Sequence, residues 1–236
     1  MKRFKFAAAL GAIAAAALAM PAHAAGTPEG NSEGKFQIKL LGTAVLPKGT
    51  VSAVKVDALN LVGTGTLTDT VASDNLAPTV AIEYFFTRNV SLETICCTTA
   101  HHVTASAGAL KGTELISNVV MVPATFTLKY HMPLGGGIKP YVGAGPSLFL
   151  VLSDSPSTAL KTALPAVTRT KLTSELGAAV QGGVDIALGH GYGLSLDAKK
   201  YWISTNATVY AATGPVLVTR HKLDPWLLSA GVSFRF

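Results

Sequence analysis

Apolar residues alternate with small or polar residues along many segments of this chain, and residues 226–236 show the pattern most clearly. One face of that segment carries Trp226, Leu228, Ala230, Val232, Phe234 and Phe236, and the other carries Leu227, Ser229, Gly231, Ser233 and Arg235. A period of two is typical of a β-strand with two different faces. Aromatic residues at both ends of the apolar face favour a strand that crosses a bilayer between two aromatic girdles.

Similar alternation elsewhere predicts eight strands, at residues 34–45, 77–87, 90–100, 119–132, 138–152, 171–188, 193–203 and 222–236. Three connections are short and turn-like, at 87–89, 133–137 and 189–192. The alternate connections are long, at 46–76, 101–118, 153–170 and 204–221. An even number of strands with short turns on one side and long loops on the other predicts an eight-stranded antiparallel transmembrane β-barrel, with both ends of the barrel on the short-turn, periplasmic side.

Composition supports the membrane interpretation, with 49% hydrophobic and only 14% charged residues and a mean hydropathy of +0.40. Beyond the N-terminal segment, no apolar run is long enough for a transmembrane helix, so a membrane protein of this sequence must be a closed barrel. The alternative is a soluble β-sandwich or a lipocalin-like barrel, with its apolar face inward and charges outside. The polar faces here are rich in Gly, Ala, Ser and Thr and poor in charge, which favours the membrane.

The N-terminus has the pattern of a secretory signal peptide. Lys2, Arg3 and Lys5 precede an Ala-rich apolar run from 6 to 20, and small residues at 22–24 predict cleavage after Ala24. A membrane helix is the alternative, but the run is short. We therefore expect a signal peptide at 1–24 and a single barrel domain at 25–236, with a flexible leader at 25–33. Removing the three basic residues lowers the formal net charge from +6 to +3, so the high pI is weak evidence for nucleic-acid binding.

Several stretches together resemble the OmpW family of eight-stranded outer-membrane proteins. They are PTVAIEYFFT at 78–87, PATFTLKY at 123–130, PYVGAG at 140–145, DAK at 197–199, KLDPW at 222–226 and GVSFRF at 231–236. The resemblance covers nearly all of the chain after the signal peptide, while the long loops diverge. It implies a narrow barrel in the outer membrane of a Gram-negative bacterium, with a hydrophobic pocket near the outer end. Small hydrophobic compounds would pass from outside into the pocket and then sideways into the membrane.

Alternation alone places certain apolar side chains inside the barrel, where they could line such a pocket: Leu41, Phe85, Ile95, Phe149 and Leu227. The alternative is that they only fill the interior of a small closed barrel. The same faces collect four positive and four negative residues: Lys39, Glu83, Glu93, Lys129, Asp185, Asp197, Lys199 and Arg235. Charges in a narrow lumen are costly unless paired, so we expect a salt-bridge network that plugs the periplasmic half. Acid/base catalysis by Glu83 and Glu93 is the alternative, which the balancing cations disfavour.

Two adjacent cysteines, Cys96 and Cys97, point to opposite faces if they lie on a strand, so a disulfide between them would need a distorted backbone. They are interpreted as free thiols, with a vicinal disulfide as the minor option. His101 and His102 follow closely, but the spacing matches no standard zinc site. The sequence has no nucleophile elbow and no phosphate-binding glycine loop. We expect no metal, no cofactor and no catalytic residue.

The sequence thus favours a passive outer-membrane channel for small apolar molecules over two alternatives. One is a structural or surface-recognition barrel without transport, which predicts a lumen filled throughout by the charge network. The other is a lipid-modifying barrel enzyme, which predicts a polar catalytic cluster near the outer loops. The expected partners are outer-membrane lipid and lipopolysaccharide, small hydrophobic molecules and the outer-membrane assembly machinery, which would contact the C-terminal strand. No nucleic-acid partner is expected.

The aromatic residue at the end of the last predicted strand resembles the signal that outer-membrane assembly machinery recognises. Deleting Phe236 is therefore expected to impair membrane insertion more than translation or export. Cell fractionation checks this, because the deleted protein should accumulate in the periplasm while the membrane fraction loses its heat-modifiable band. An unchanged amount of inserted protein would contradict the expectation.

Overall fold

The computed structural model describes residues 34–236, so the predicted signal peptide at 1–24 and the leader at 25–33 lie outside the described residues. The described chain contains fourteen strands: β1 (Phe36–Leu46), β2 (Thr50–Asp57), β3 (Asp69–Ala72), β4 (Asn75–Phe85), β5 (Val90–Cys97), β6 (Thr99–Ala107), β7 (Glu114–His131), β8 (Ile138–Pro156), β9 (Val167–Leu172), β10 (Glu175–Gly189), β11 (Tyr192–Trp202), β12 (Ser204–Ala211), β13 (Gly214–Lys222) and β14 (Trp226–Arg235). One short helix, α1 (Thr158–Ala163), follows β8. Within residues 34–236, no helix has the length and hydrophobicity to cross a membrane.

Eight of these strands close into an antiparallel ring in the order β1-β4-β5-β7-β8-β10-β11-β14. The ring closes where β14 returns to β1, with Ile38 opposite Phe234 and Leu46 opposite Trp226. The backbones of Phe36 and Phe236 continue this ladder through two N–H···O bonds of 3.0 and 2.8 Å. The expected eight-stranded antiparallel barrel is therefore confirmed.

The side chains show which face lies inside. On β14, Leu228, Val232 and Phe234 are exposed, whereas Leu227 and Ser233 are buried. All the other barrel strands repeat this arrangement, with large apolar side chains outward, as at Leu40, Ile82, Leu128 and Val142. An apolar exterior is the opposite of what the soluble alternatives require, and it suits a barrel surrounded by lipid.

Aromatic side chains mark both boundaries of this apolar exterior. Phe36, Tyr84, Phe86, Tyr192, Phe234 and Phe236 form a belt at the short-turn end, with several ring centroids 4.9–6.2 Å apart. Trp202 and Trp226, about half exposed, lie at the other end. The ten steps from Trp226 to Phe236 span about 33 Å along the strand, or about 25 Å after tilt, which equals the apolar height of an outer-membrane barrel.

Lys200 lies on the outward face of β11 next to this outer belt. The pairing of β10 with β11 is continuous through Lys200, so a bulge does not explain its position. Its ammonium group donates to the backbone carbonyl of Asp224 and lies 5.4 Å from the Trp226 ring centroid. The side chain thus reaches toward the interface while its stem stays on the apolar surface.

The prediction of long loops on the outer side is wrong in one respect, because these regions are largely strands. β2, β9, β12 and β13 form a four-stranded sheet, and β3 and β6 pair beside the outer parts of β7 and β8. The barrel wall therefore continues beyond the tryptophan belt as two separate sheets. Their alternation is interrupted by bulges, for example between Val218 and Thr219, which hides the period of two from a search for uninterrupted strands.

Candidate ligand cavity and the charged floor beneath it

A large cavity lies between the two outer sheets. It contains about 1150 Å³ of empty space, part of which is open to solvent. Its lining is mostly apolar and comes from nearly every outer strand: Val45, Leu61, Leu67, Val103, Leu115, Ile116, Val119, Met121, Phe149, Leu160, Leu172, Ala207, Leu217 and Leu227 are among the contributing residues. Concave, mainly apolar cavities are typical of binding sites for small apolar ligands.

Two connecting segments add apolar side chains to the outer part of this cavity. After β2, the Asp57 carboxylate accepts N–H bonds from Leu61 and Val62 at 2.7 and 2.8 Å, which folds the segment back so that Leu61 is buried. At α1, the Ser157 hydroxyl accepts from the Leu160 amide at 2.9 Å and caps the helix. Leu160 then packs with Leu61 in one apolar cluster.

Two histidines are the titratable groups among the cavity-lining residues, and both are buried. The Nδ1 atom of His101 lies 2.7 Å from the Ser73 carbonyl oxygen, and His221 bonds to the hydroxyls of Thr70 and Thr219 at 3.0 and 2.7 Å. Burial lowers the pKa of both imidazoles below the usual value. Both rings are therefore neutral at neutral pH, and the cavity presents no net charge to a ligand.

Below the cavity the barrel interior is filled. Phe149 and Leu227 belong both to the cavity lining and to an apolar layer that includes Leu41, Ile95 and Tyr201. A layer of hydroxyls follows, in which Thr125 bonds to Ser147 at 2.7 Å and Thr43 bonds to Ser229 at 2.8 Å. Tyr201 is fully buried, and its hydroxyl lies 3.2 Å from that of Thr125.

A network of buried charges lies beneath these layers. Lys39 and Lys129 both contact the Glu83 carboxylate at 2.9 Å, and Lys129 also contacts Glu93 at 2.9 Å. Lys199 links Glu93, at 3.0 Å, to Asp197, at 2.7 Å, while Lys39 bonds to Asp185 at 3.0 Å.

Several further polar groups, which the sequence does not single out, complete the network. His131 lies 2.9 Å from Glu83, the Tyr141 hydroxyl donates to Asp197 at 2.8 Å, and Ser195 donates to Asp185. The Lys129 ammonium also lies 3.7 Å from the Tyr141 ring centroid. These groups satisfy hydrogen-bonding positions that three lysines alone would leave open, which is what a buried ion cluster requires.

The structure brings seven of the eight predicted lumen charges into this one cluster. Arg235 is placed nearer the periplasmic rim, where its guanidinium stacks on the Phe85 ring at 3.6 Å and its Nε donates to the Gly34 carbonyl at 2.7 Å. Its position follows from the strand end, because Arg235 is the last residue of β14.

The five predicted pocket residues are all buried, but they lie at different depths. Phe149 and Leu227 line the cavity. Leu41 and Ile95 lie outside its lining, in the apolar layer that also holds Phe149 and Leu227. Phe85 lies at the opposite end, against His131 and Arg235. Alternation assigns a side chain to the interior, but it contains no information on depth along the barrel axis.

Most of the lining comes from regions that the sequence predicts to be loops. One of these regions does show the period of two that is typical of a β-strand, because Thr205, Ala207 and Val209 alternate with Asn206 and Thr208. The polar side chains at the lining positions weaken this signal, so hydrophobicity alone does not identify the segment as a strand.

The cysteines and the neighbouring histidines do not form a site. Both cysteines are free thiols, with Cys96 exposed on the outside of the barrel and Cys97 buried inside. His102 pairs with Glu114 at 2.6 Å on the exposed surface, away from the buried His101. Among the described residues, no three His, Cys, Asp or Glu side chains are arranged to hold a metal ion.

The two outer sheets meet at two seams, each bridged by an aspartate. At the first, between β2 and β3, the Val51 amide donates to Asp69 at 2.8 Å, and Ala72 N–H donates to the Lys48 carbonyl at 3.3 Å. At the second, between β8 and β9, the Leu172 amide donates to Asp154, and the Val151 amide donates to the Ser174 hydroxyl at 3.1 Å. Burial raises the pKa of the Asp154 carboxyl. At both seams, no continuous ladder of backbone hydrogen bonds joins the edge strands of the two outer sheets.

An apolar belt of about 25 Å, a closed antiparallel ring and a plugged periplasmic half define a bacterial outer-membrane β-barrel. Comparison with known proteins agrees. The chain is 33% identical to the uncharacterized outer-membrane protein y4mB of Sinorhizobium fredii, over 94% of this chain and 90% of that protein. It is 28% identical to the dibenzothiophene metabolism operon protein PahQ of Pseudomonas aeruginosa, over 70% of this chain and 74% of that protein.

Among solved structures, the crystal structure of the outer membrane protein OprG from Pseudomonas aeruginosa superposes with a TM-score of 0.70. At 19% identity, over 86% of this chain and 97% of OprG, the likeness shows the fold. The family model of the OmpW family matches residues 32–236. The chain therefore belongs to the OmpW family and is an outer-membrane protein.

Replacing Lys129 with methionine tests how far the buried charges stabilise the barrel. The substitution removes the closest cation shared by Glu83 and Glu93. The free energy of unfolding should fall by about 3 kcal/mol, which is the lower end of the range for breaking a buried ion pair. The lower end applies because both carboxylates keep other cationic partners. Denaturant unfolding in lipid vesicles, followed by tryptophan fluorescence, measures the change.

The matched control is Lys171→Met, which removes an exposed lysine from β9. An exposed substitution of this kind should alter the free energy of unfolding by no more than about 0.5 kcal/mol. Equal effects of the two substitutions would show that the lumen charges do not stabilise the barrel.

Proposed function

We propose that this protein takes up small, uncharged, apolar molecules passively from outside the cell. The observation that carries the proposal is the large apolar cavity between the outer sheets, above a sealed and charged floor. Because the two lining histidines are neutral at neutral pH, the cavity has no charge to compensate a charged ligand, whereas an uncharged apolar ligand gains by leaving water. No catalytic chemistry is part of the proposal.

The name of one relative supports this ligand class. PahQ is named as a dibenzothiophene metabolism operon protein, and dibenzothiophene is an uncharged, polycyclic aromatic compound. A compound of that kind crosses a lipopolysaccharide layer slowly, because the layer is polar and highly charged. By analogy, we infer that this chain provides a route around that barrier for apolar molecules of similar size.

The filled floor argues for a sideways exit. An apolar molecule that continued along the axis would have to displace Tyr201 and Leu227, which are 0% and 2% exposed. It would then have to break ion pairs among Glu83, Glu93 and Lys129. Leaving the cavity through the wall avoids both costs and delivers the ligand to lipid, where its free energy is low.

The seam between β8 and β9 is the favoured exit. Its links at Asp154 and Ser174 run from side chain to backbone, whereas the other seam includes a backbone–backbone bond. On the outer surface, Leu152 and Leu176 flank this seam and are 64% and 73% exposed. These side chains form an apolar surface over which a ligand can pass into the bilayer.

The alternative of a surface-recognition barrel without transport requires a lumen filled throughout by charge. The network instead stops below Thr125 and Thr43, and the space above it is apolar. This observation favours uptake over the alternative.

Filling the cavity provides the first test. Ala207 lines the cavity and Thr208, its neighbour on β12, points outward, so Ala207→Trp fills the space while Thr208→Trp adds the same side chain outside. Uptake of radiolabelled dibenzothiophene by cells expressing Ala207→Trp should fall at least about fivefold toward that of cells without the protein, with Thr208→Trp near the wild type. Heat-modifiable migration must first show that both variants are folded.

Equal uptake by cells with and without the wild-type protein would refute the proposed function. If folded Ala207→Trp transported as fast as the wild type, the cavity would not be on the route.

Locking the favoured seam tests the exit separately. The Val151 amide nitrogen and the Ser174 hydroxyl are 3.1 Å apart, so these two residues are neighbours across the seam, and thiol titration after oxidation establishes whether cysteines placed there form a disulfide. In a background of Cys96→Ser and Cys97→Ala, the oxidised Val151→Cys/Ser174→Cys protein should take up dibenzothiophene at least about fivefold more slowly. Reduction with dithiothreitol should restore the rate.

The control pair is Thr208→Cys/Val218→Cys, which joins two strands already paired in a ladder. Oxidation of the control should leave uptake unchanged. If the seam disulfide forms and uptake stays at the wild-type rate, the exit lies elsewhere, and the cavity test above remains valid.

A further inference from the structure

The outer surface of the β2-β13-β12-β9 sheet is strongly basic. Five exposed cations lie on three of its strands, Lys55 on β2, Arg169 and Lys171 on β9, and Arg220 and Lys222 on β13, and we call this surface the basic face. Among the described residues, none of the five makes an ion pair within 4 Å of a carboxylate.

Three carboxylates border the basic face, and each accepts hydrogen bonds from other groups: Asp154, across the seam from Lys171, accepts the Leu172 amide. Asp57 accepts amides of the segment that follows β2, and Glu175 accepts from Asn206 at 3.0 Å and from Thr173 at 2.8 Å. The cations of the basic face are therefore not neutralised by the sheet that carries them.

Strand pairing brings several of these cations together. Asn206 is directly opposite Arg220, and the Lys55 ammonium reaches across β13 to donate to Asn206 at 2.8 Å. Lys222 follows Arg220 on the same face, two residues nearer the membrane. Like charges held this close repel one another in water, and a multivalent anion placed among them would remove that repulsion.

The opposite sheet has the opposite charge. β3, β6 and the outer parts of β7 and β8 contain no lysine or arginine, and they carry Asp69, Glu114 and Asp154. A general need for solubility would not separate the charges in this way. The asymmetry indicates that one side of the outer wall meets an anionic surface.

The height of the basic face identifies that surface. Lys222 and Arg220 precede Trp226 of the outer belt by four and six residues, so they lie roughly 10–15 Å above the belt after strand tilt. The headgroup region extends about 5–8 Å beyond the hydrocarbon on each side, and long basic side chains bend toward it.

We propose that the basic face binds the phosphate groups of phosphorylated glycolipid in the outer leaflet, the lipid A portion of lipopolysaccharide. Arg220 and Lys222 contact the phosphates, with Lys55 beside them. Arg169, held 3.6 Å over the Tyr210 ring, extends the surface farther from the membrane. Bound glycolipid would hold the β2-β13-β12-β9 sheet against the headgroups, while the opposite sheet, which carries Asp69, Glu114 and Asp154, stays free of lipid phosphate. This inference is independent of the proposed uptake function.

The two tryptophans of the chain, Trp202 and Trp226, provide the readout, since both lie at the outer belt and are about half exposed. The full barrel is placed in phospholipid nanodiscs with trace amounts of dansyl-labelled lipid A. Energy transfer from tryptophan should exceed that for random mixing. The excess should disappear with dephosphorylated lipid A and weaken as salt is raised.

The variant Arg220→Gln/Lys222→Gln should reduce the preference for phosphorylated lipid A at least about fivefold, because one cation near an anionic membrane surface contributes about that factor. The control Lys35→Gln/Lys111→Gln removes the same charge from exposed positions outside the basic face and should retain the wild-type preference. Both variants are first checked for heat-modifiable migration.

Three outcomes would overturn the proposal. One is equal transfer to phosphorylated and dephosphorylated lipid A by the wild type. Another is an unchanged preference in Arg220→Gln/Lys222→Gln. The third is displacement of the labelled lipid by soluble inositol hexaphosphate at an equal phosphate concentration, which would show that the basic face binds soluble polyanions instead of membrane lipid.

Discussion

Hydrogen bonding of the backbone in lipid is the constraint on which the rest of this structure depends. Within the hydrocarbon region each N–H and C=O group must find a partner in the chain itself, and an eight-stranded ring does this only by closing β14 onto β1. Closure at this strand number makes the interior narrow. The wall is also tightly curved: a β-carbon at the inward position Gly145 would lie 1.9 Å from the carbonyl oxygen of Phe126 on the adjacent strand β7. The lumen is therefore a packed core, and any charge in it must be paired.

The same constraint explains why the charges form one network. Lysines and carboxylates that alternate inward on different strands have little space, so Lys39 meets three carboxylates that come from three different strands. The network and the layers above it seal the periplasmic half. An apolar solute in the cavity can then leave only through the barrel wall or by the opening through which it entered. The proposed sideways exit therefore depends more on this sealed floor than on any single pocket residue.

Above the tryptophan belt the constraint is relaxed, because water or side chains can satisfy backbone groups. The wall there separates into two sheets with seams bridged by Asp69 and Asp154, and the space between them widens into the cavity. Outside the lipid, the outer surfaces are also free to carry charge. The separation of basic and acidic walls is therefore possible only in this part of the molecule, where it meets the headgroups.

The sequence by itself determined the strands in the membrane, their faces and the family, because a period of two is set by neighbouring residues and is strong where one face meets lipid. It also placed Glu83, Lys129 and Phe149 inside the barrel for the same reason. Only the tertiary structure decided that Phe85 lies at the periplasmic end and Phe149 at the cavity, and that the outer connections fold as two sheets. Depth depends on the stagger between strands that are distant in sequence, and the cavity depends on bulged strands whose polar lining weakens the alternation.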